Sequence, residues 1–196
     1  MAQIEARLPM VATRTPVAES APEYSNATPI GKLIAVTMTP NSGSVDLYGD
    51  DEIAESVTTP TQETISLNTT TLPLAAAAVA LGITVETDTS QSGLKEDHVS
   101  YANEEAPFVG FGFIDVEIVS NVRSYVVNFY PNCKFQRPAR TSNTRGQTVA
   151  FSTPTISGVA YYDDAYGALR DEYRYTGTGA ADAAVAKLKE LLGETV

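Results

Sequence analysis

Three segments in the second half of the chain, rich in β-branched and aromatic residues, constrain the fold most. They are Val109–Ser120, Ser124–Gln136 and Gln147–Tyr161, and all are enriched in Val, Ile, Phe or Tyr. Such residues favour strands, because branched and aromatic side chains pack well on a pleated surface. Only Asn121-Val122-Arg123 separates the first two segments, and so short a link predicts a long antiparallel hairpin.

An earlier pair of strands is predicted between residues 32 and 48. Lys32–Thr39 contains enough β-branched residues for a strand, and Val45–Tyr48 is expected to be the returning strand of a hairpin. Pro40-Asn41-Ser42-Gly43, between them, has the composition of a turn. Gly49–Thr61 is acidic and then rich in Thr and Pro, so a long loop is expected there.

The cleanest alternation in the chain lies in Glu63–Thr71. Apolar and polar residues alternate there with a period of two, the pattern of a strand in an antiparallel sheet with one wet face. Ile65 and Leu67, with Glu63, are expected on the core side. The polar side then comprises Thr64, Ser66, Asn68 and Thr70.

Two helices are predicted. Leu74–Leu81 is rich in alanine, begins after Pro73 and ends before Gly82, an arrangement typical of a short helix. Ala180–Leu192 carries apolar residues at helical spacing and ends before Gly193, which predicts an amphipathic helix.

The start of the chain differs in character from the rest. Met1–Pro29 is rich in Pro, Ala, Thr and Ser and lacks a clean period, so we expect an extended arm, ordered only if something packs on it. Residues 30–196 are expected to form a single β domain, since 196 residues of which 43% are hydrophobic suit one domain with a real core. Thr87–Glu105 is polar and is expected to be a loop.

The charge balance argues against a protein that grips nucleic acid. Such proteins neutralise phosphates with clustered Lys and Arg, whereas here 24 acidic residues outnumber 13 basic ones. Met1–Ser20 lacks the continuous apolar stretch of a secretory signal, and the apolar run Leu72–Gly82 is about half as long as a membrane crossing requires. We therefore expect a protein made and folded in the cytoplasm, without a membrane partner.

The residues that could support catalysis are few. His98 is the only histidine, is expected in a polar loop, and belongs to no nucleophile–histidine motif. Cys133, the only cysteine, could be activated by Lys134, but a small packing residue is the simpler interpretation. Gly110-Phe111-Gly112-Phe113 lies within a β pattern and indicates a bulge or a close backbone approach, not a phosphate loop. No catalytic, cofactor or metal site is predicted.

Charged clusters of opposite sign suggest contacts between copies of the chain. Asp50-Asp51-Glu52 and Asp163-Asp164 lack the spacing of a calcium loop and are either solvated or bound to basic groups on a neighbour. The basic cluster comprises Lys134, Arg137, Arg140 and Arg145, and it is either a solvated loop or a partner for such acidic groups. A basic loop on one copy meeting an acidic loop on the next is a heterologous contact, which generates rings or filaments. We therefore treat Asp50, Asp51, Glu52 and the basic cluster as candidate contacts between subunits.

A series of short segments, in this order, resembles one known family over about residues 30–160. The segments are Ile34-Ala35-Val36-Thr37, Leu47-Tyr48-Gly49-Asp50-Asp51, the Thr- and Ser-rich strand that follows, Ala80-Leu81-Gly82, Ala106-Pro107-Phe108-Val109-Gly110-Phe111-Gly112-Phe113, Tyr130-Pro131 and Phe135-Gln136-Arg137-Pro138. Together they resemble the major tail proteins of long-tailed, siphovirus-type phages, whose fold is shared with the Hcp tube protein of type VI secretion. The first 29 residues and the C-terminal helix lie outside this resemblance.

The resemblance implies a mainly β protein, an antiparallel β-sandwich or barrel-like tail tube domain with a short flanking helix. It implies hexameric rings that stack into the hollow tube of a virion, assembled in the host cytoplasm. It also implies contacts with other tail proteins, such as the tape measure and the tail terminator, and passage of DNA without sequence-specific binding.

The lumen of such a tube gives the polar strand faces a role. An acidic lumen would repel phosphate, so that DNA slides through it. We expect the lumen to be lined by the polar parity of residues 64–70 and by Asp115 and Glu117, although Phe111 and Phe113 share their parity and indicate that this face is partly core.

The alternative is a β-sandwich binding module, such as an adhesin or a carbohydrate-binding domain. It would need exposed aromatic residues, for which the candidates are Tyr161, Tyr162, Tyr166, Tyr173 and Tyr175. The chain has no tryptophan, a favoured stacking residue, and an enzyme is a distant third possibility.

Overall fold

A computed structural model describes residues 2–49, 52–90, 94–101, 105–140 and 153–194. Ten strands and two helices lie within these ranges. They are β1 (Ala2–Val17), β2 (Ser20–Pro29), β3 (Leu33–Gly49), β4 (Glu52–Thr69), α1 (Leu74–Leu81), β5 (Thr84–Asp88), β6 (Glu96–Ser100), β7 (Val109–Val119), β8 (Val122–Phe135), β9 (Thr155–Tyr161), β10 (Asp171–Thr176) and α2 (Ala180–Leu191).

Eight of the strands form one antiparallel sheet in the order β2-β1-β7-β8-β9-β4-β3, with β10 beside β8. β10 pairs with Ser124–Phe129 and β9 with Cys133–Phe135, so the two strands share one edge of β8. β5 and β6 form a separate two-stranded sheet. The fold is mainly β and antiparallel, with a sandwich or barrel-like arrangement, a short helix and a C-terminal helix, as the sequence predicts.

The β7–β8 hairpin forms where the sequence predicts it, with a tighter connection than expected. Val119 pairs with Val122, which leaves Ser120 and Asn121 as a two-residue turn. Both residues have positive φ, 50° and 63°, as a type I′ turn requires. Asn tolerates this left-handed region better than most residues. Val122 and Arg123, expected in the link, are instead the first residues of β8.

The large sheet buries side chains on both faces. We call the inner face the one that carries Phe111, Phe113 and Tyr130, which pack with Ile65 and Leu67 of β4 and with the alanines of α1. Since strands from both ends of the sheet contribute, the sheet curls around this inner cluster. The outer face of β1, β7 and β8 carries a second cluster under α2, formed by Met10, Ala12, Ile114, Val127, Phe129, Ala184, Leu188 and Leu192.

Two glycines let α2 lie close against β7, which confirms the close approach expected of Gly110-Phe111-Gly112-Phe113. A Cβ at Gly112 would lie 2.5 Å from Leu188 Cδ1 and 2.9 Å from the backbone oxygen of Asn128. A Cβ at Gly110 would lie 2.6 Å from the Tyr24 ring. The glycines therefore make room for the helix and for β2.

Residues 2–29, expected to be an arm, are instead two strands of the main sheet. β1 pairs with β7 from Ala2 to Thr13 and buries Met10, Val11 and Ala12 completely or almost completely. The exposed, Pro-containing β2 lies at the edge of the sheet, where proline is tolerated. The condition set by the sequence, that something must pack on this segment, is met by β7.

The predicted turn at residues 40–43 and the described part of the predicted loop at 49–61 belong to one long hairpin; residues 50 and 51 of that loop lie outside the described residues. β3 and β4 pair from Leu33 and Thr69 to Gly49 and Glu52. Pro40 pairs with Glu63 and causes no break, because β3 is an edge strand and a missing N–H can face outward. Long-range pairing thus overrides local turn chemistry.

The remaining elements agree in part with the sequence. α1 occupies the predicted residues, with Gly82 at φ 67° past its end, and α2 ends one residue before the predicted Leu192. The alternation in β4 is confirmed, with Glu63, Ile65 and Leu67 buried. Part of the predicted loop 87–105 is instead strand, in β5 and β6. β9 begins at Thr155; residues 141–152 of the predicted strand region and its connection lie outside the described residues.

Candidate assembly surfaces

The outer half of the β3–β4 pair is a two-stranded ribbon. β4 pairs with β9 only between Gln62 and Asn68, whereas Ser42–Gly49 pair with Glu52–Pro60. Among the described residues no third strand joins this outer part, which we call the distal hairpin. Eight residues at about 3.4 Å each give it a length of about 27 Å.

The distal hairpin is strongly acidic in sequence. Residues 42–60 contain five acidic residues and no basic one. The acids are Asp46, Asp50, Asp51, Glu52 and Glu55. Of the predicted contact residues, Asp50 and Asp51 lie outside the described residues, and Glu52 is described as the first residue of β4 by its backbone alone. Glu52 pairs with Gly49, the last pair of the hairpin that the structure describes.

The predicted basic cluster lies at the end of β8 and just after it. Lys134 forms an ion pair with Glu105, and its ammonium lies 5.2 Å from the centre of the Phe108 ring. The Arg137 guanidinium carbon lies 3.8 Å from the centre of the Tyr101 ring, a cation–π contact. Arg140 is exposed, and Arg145 lies outside the described residues.

Beside these cations lie two adjoining grooves of about 380 Å³ and 660 Å³, which share Leu81, Tyr101 and Arg137. We call the larger one the basic groove. α1 and the residues before it form its apolar wall, with Leu72, Leu74 and Ala77. Arg137 and Arg140 line it as well, so the groove combines apolar surface with positive charge.

The outer face of β3, β4 and β9 carries several small polar side chains, with Val159 opposite Thr64 among them. Thr37, Ser66 and Ser157 are cross-strand neighbours in one row, and Asn68 pairs with Thr155 in another. Thr64, Ser66 and Asn68 are half-buried, and Thr70 is exposed beyond the end of β4. We call this the hydroxyl face; it is the wet side that the alternation of residues 63–71 predicts.

Asp115 and Glu117, the other two candidate lumen residues, lie on the inner face of the sheet. Asp115 is 8% exposed and accepts hydrogen bonds from Gln3 Nε2 at 2.5 Å and Asn128 Nδ2 at 2.9 Å. Burial raises the pKa of Asp115 to about 6, against the lowering effect of these two amides. Glu117 pairs with Arg174 at 2.5 Å. The two carboxylates therefore do not share a surface with the hydroxyl face, and the parity with Phe111 and Phe113 marks core, as the sequence indicated.

The second acidic cluster divides between the interior and the surface. Asp163 is buried, and its Oδ2 accepts hydrogen bonds from Arg14 Nε at 3.1 Å and Nη2 at 2.7 Å. Asp164 is exposed. Asp163 therefore has a partner within its own chain, on β1, and this pair ties the N-terminal hairpin to the segment after β9.

The five candidate tyrosines of a binding module do not form one exposed face. Tyr166, Tyr173 and Tyr175 pack against the outer cluster beneath α2. Tyr161 makes an edge contact with Phe108, with ring centres 6.0 Å apart, while Tyr162 is 51% exposed.

Cys133 and His98, the two residues considered for catalysis, lie in different environments. Cys133 is completely buried in the inner cluster, where burial raises the pKa of its thiol well above the usual value. His98 lies on β6 with its side chain exposed, and its Nδ1 is 3.9 Å from Glu86 Oε2. Among the described residues there is no group of three or more His, Cys, Asp or Glu side chains that could hold a metal ion.

Sequence reasoning missed the aromatic part of the basic groove. Tyr101 is 50% exposed and lies in the polar stretch that was expected to be a loop. A lone aromatic residue in a polar segment was the available indication. The place of Leu74 in the groove could not be predicted either, because nothing in the sequence places α1 beside Arg137. Its side chain, at the start of α1, is 39% exposed.

The sequence matches no protein-family model and no curated protein. In the part of the chain that the structure describes, no helix has both the length and the apolar character needed to span a membrane.

Proposed function

We propose that this protein is a structural virion subunit that polymerises as stacked hexameric rings into the hollow tail tube of a long-tailed phage. The distal hairpin is the observation that carries the assembly part of the proposal. The resemblance of residues 30–160 to major tail proteins carries the choice of a phage tail over other assemblies.

The distal hairpin favours assembly because a two-stranded ribbon is marginally stable in water by itself. Its residues pair only with each other among the described strands, over about 27 Å. A third strand, or another surface packed against it, would supply the missing stabilisation. A neighbouring copy of the chain is the natural source of that surface in a homopolymer.

The main sheet also offers open edges to a neighbour. It ends in β2 on one side and in β3 on the other, and within the described residues neither strand has a second partner. Unpaired strand edges favour pairing with another chain, and closing a ring of copies removes them. Pairing of one edge with the other would be heterologous, the type of contact that closes a ring.

The hydroxyl face is the proposed lining of the lumen. Thr64, Ser66 and Asn68 of β4 lie on the same side of the sheet as Thr37 of β3 and Ser157 of β9. Uncharged hydroxyls present no cationic partner for phosphate, and the net charge of −11 repels DNA further. DNA would therefore pass without sequence-specific contacts. The tape measure and the tail terminator are the further partners proposed.

Electron microscopy with a matched variant tests this proposal. Native protein, concentrated stepwise, is expected to form six-fold rings or hollow tubes in negative stain. The variant replaces residues 42–61 with Asn-Gly, joining Asn41 to Gln62, which pair directly in the native hairpin, through a two-residue turn. It is expected to keep the circular dichroism spectrum of the body and to stay monomeric in sedimentation velocity. Native protein that is monomeric at every concentration would refute the proposal, and a shortened variant that forms the same tubes would remove the hairpin from it.

A further inference from the structure

The smaller of the two grooves, of about 380 Å³, is a pocket beside the last residues of β8. We call it the aromatic pocket. Its lining comes from β8, from β9, from the residues after α1 and from the segment between β6 and β7, and every lining residue is described. Pockets that bind small molecules measure about 300–1,000 Å³, so this one suits a molecule of one or two rings.

Aromatic rings form much of the wall of this pocket. Tyr101, Phe135 and Tyr161 line it, and Phe108 meets the Tyr161 ring edge-on with ring centres 6.0 Å apart. Phe135 is buried in the inner cluster, which holds its ring in a fixed position. Tyr101 is half-exposed, so its ring surface is available to a ligand. Rings attract other rings in edge-on or offset contacts, which favours an aromatic ligand over an aliphatic one.

The charge of the lining is positive. Lys134 and Arg137 line the pocket, and no Asp or Glu is among its described lining residues. The guanidinium carbon of Arg137 lies 3.8 Å from the centre of the Tyr101 ring. Arginine stacks on an aromatic face and also binds carboxylates through its N–H groups. The pocket therefore favours a ligand that is both aromatic and anionic.

A carboxylate of the chain already marks the position of the anion. Glu105 forms an ion pair with Lys134, although Glu105 does not itself line the pocket. The Glu105 side chain is 84% exposed, whereas that of Lys134 is 23% exposed. Exposed ion pairs contribute little to stability, because water screens them. A ligand carboxylate can therefore replace Glu105 on Lys134 without disturbing the fold.

We propose that the aromatic pocket binds a small aromatic carboxylate. The ring of the ligand lies among Tyr101, Phe135 and Tyr161, and its carboxylate replaces that of Glu105 on Lys134. This inference goes beyond the proposed function and does not depend on it, because all the lining residues belong to a single chain.

Saturation-transfer NMR with three probes tests the chemistry of the site on the full-length protein. The probes are naphthoate, its neutral analogue naphthylmethanol, and cyclohexanecarboxylate, which keeps the charge without the aromatic ring. Naphthoate is expected to bind at least about tenfold more tightly than naphthylmethanol, the ratio that one hydrogen-bonded charge contributes. It is also expected to bind more tightly than cyclohexanecarboxylate, because only an aromatic ring makes edge-on and stacked contacts with the wall.

Two charge variants test the roles of Glu105 and Lys134. Glu105→Gln is expected to tighten the binding of naphthoate, because it removes the competing carboxylate, and a gain of affinity cannot arise from misfolding. Lys134→Gln is expected to weaken naphthoate about tenfold and to leave naphthylmethanol unchanged. Glu23→Gln is the matched control for charge: Glu23 is exposed on β2, at the far edge of the sheet, and its loss should leave all three affinities unchanged.

A filled pocket locates the site. Ala106 lines the pocket, so Ala106→Phe is expected to abolish the binding of both naphthyl probes while the circular dichroism spectrum stays native. The proposal is overturned if native protein binds no naphthoate at millimolar concentration, or binds the neutral analogue equally well. It is also overturned if Glu105→Gln and Lys134→Gln leave the affinity for naphthoate unchanged, since the probe then binds elsewhere.

Discussion

Removing the Asp163 carboxylate is expected to be the most damaging change that leaves the core unaltered. Asp163 lies in the segment after β9 and Arg14 on β1, so their pair joins parts of the chain 149 positions apart. The Asp163 side chain is 3% exposed and that of Arg14 is 14% exposed. The second carboxylate oxygen accepts the backbone N–H groups of Ala165 and Tyr166 at 3.0 Å and 3.2 Å.

The magnitude follows from burial. Asp163→Ala leaves the Arg14 guanidinium almost buried without its partner, and breaking a buried pair in this way costs about 3–5 kcal/mol. Total stabilities of domains are about 5–15 kcal/mol, so the loss would be a large part of the free energy of unfolding. Arg14→Met together with Asp163→Ala removes the stranded charge, and this double variant is expected to be more stable than Asp163→Ala alone.

Equilibrium unfolding in guanidinium chloride measures these differences. The chain has no tryptophan and ten tyrosines, so far-UV circular dichroism and tyrosine fluorescence are the probes. The protein concentration must be low enough that the midpoint no longer depends on it, because self-association also stabilises the folded state. Asp164→Ala, at the exposed neighbouring position, is the matched control and should leave the midpoint unchanged. A loss below about 1 kcal/mol for Asp163→Ala, typical of surface pairs, would refute the reasoning.

Two further predictions concern the sheet beneath α2 and its inner face. Gly112→Ala should destabilise the protein by about 1–3 kcal/mol in the same unfolding experiment, because its Cβ would overlap both Leu188 and a backbone oxygen of β8. Gly43→Ala, where a Cβ meets nothing among the described atoms within 4 Å, is the control, and equal effects at the two positions would contradict this account. Asp115 has a folded-state pKa raised to about 6, so its contribution to stability is fully present below its unfolded pKa of about 4 and is lost as the pH rises through 6. Asp115→Asn should therefore flatten the pH dependence of the unfolding midpoint between about pH 4 and 6, and an unchanged slope would exclude Asp115 as its source.

Strand and helix identity could be predicted where a periodic pattern agrees with tertiary burial. The alternation of residues 63–71 gives the correct buried parity, because Ile65 and Leu67 pack into the inner cluster while their neighbours face outward. Both helices lie where alanine-rich or amphipathic patterns end at glycine. The close approach at Gly112 also follows from sequence, since a glycine inside a strand leaves room that a neighbour fills.

Predictions failed where local composition opposed long-range pairing. Pro40-Asn41-Ser42-Gly43 has every local property of a turn, yet it lies within β3 because Glu63 and its neighbours on β4 pair with it. The Pro-rich start of the chain has no periodic pattern of apolar residues, yet it forms β1 and β2. It does so because β1 pairs with β7 and Arg14 forms an ion pair with Asp163. Such pairings depend on residues far away in the chain, which a local window does not contain.

The sequence by itself determined the β character of this protein, its two helices, its acidity and the scarcity of residues for catalysis, because composition and short periods are local properties. Tertiary structure alone decided that residues 2–29 belong to the sheet and that Ser42–Gly49 and Glu52–Pro60 form a ribbon of their own. It also decided that Asp115 faces the core while Thr64 faces outward, and that Leu74 and Tyr101 meet Arg137 in one groove. These arrangements arise because pairing between distant strands chooses which side of the sheet each residue occupies and which end of it each loop reaches.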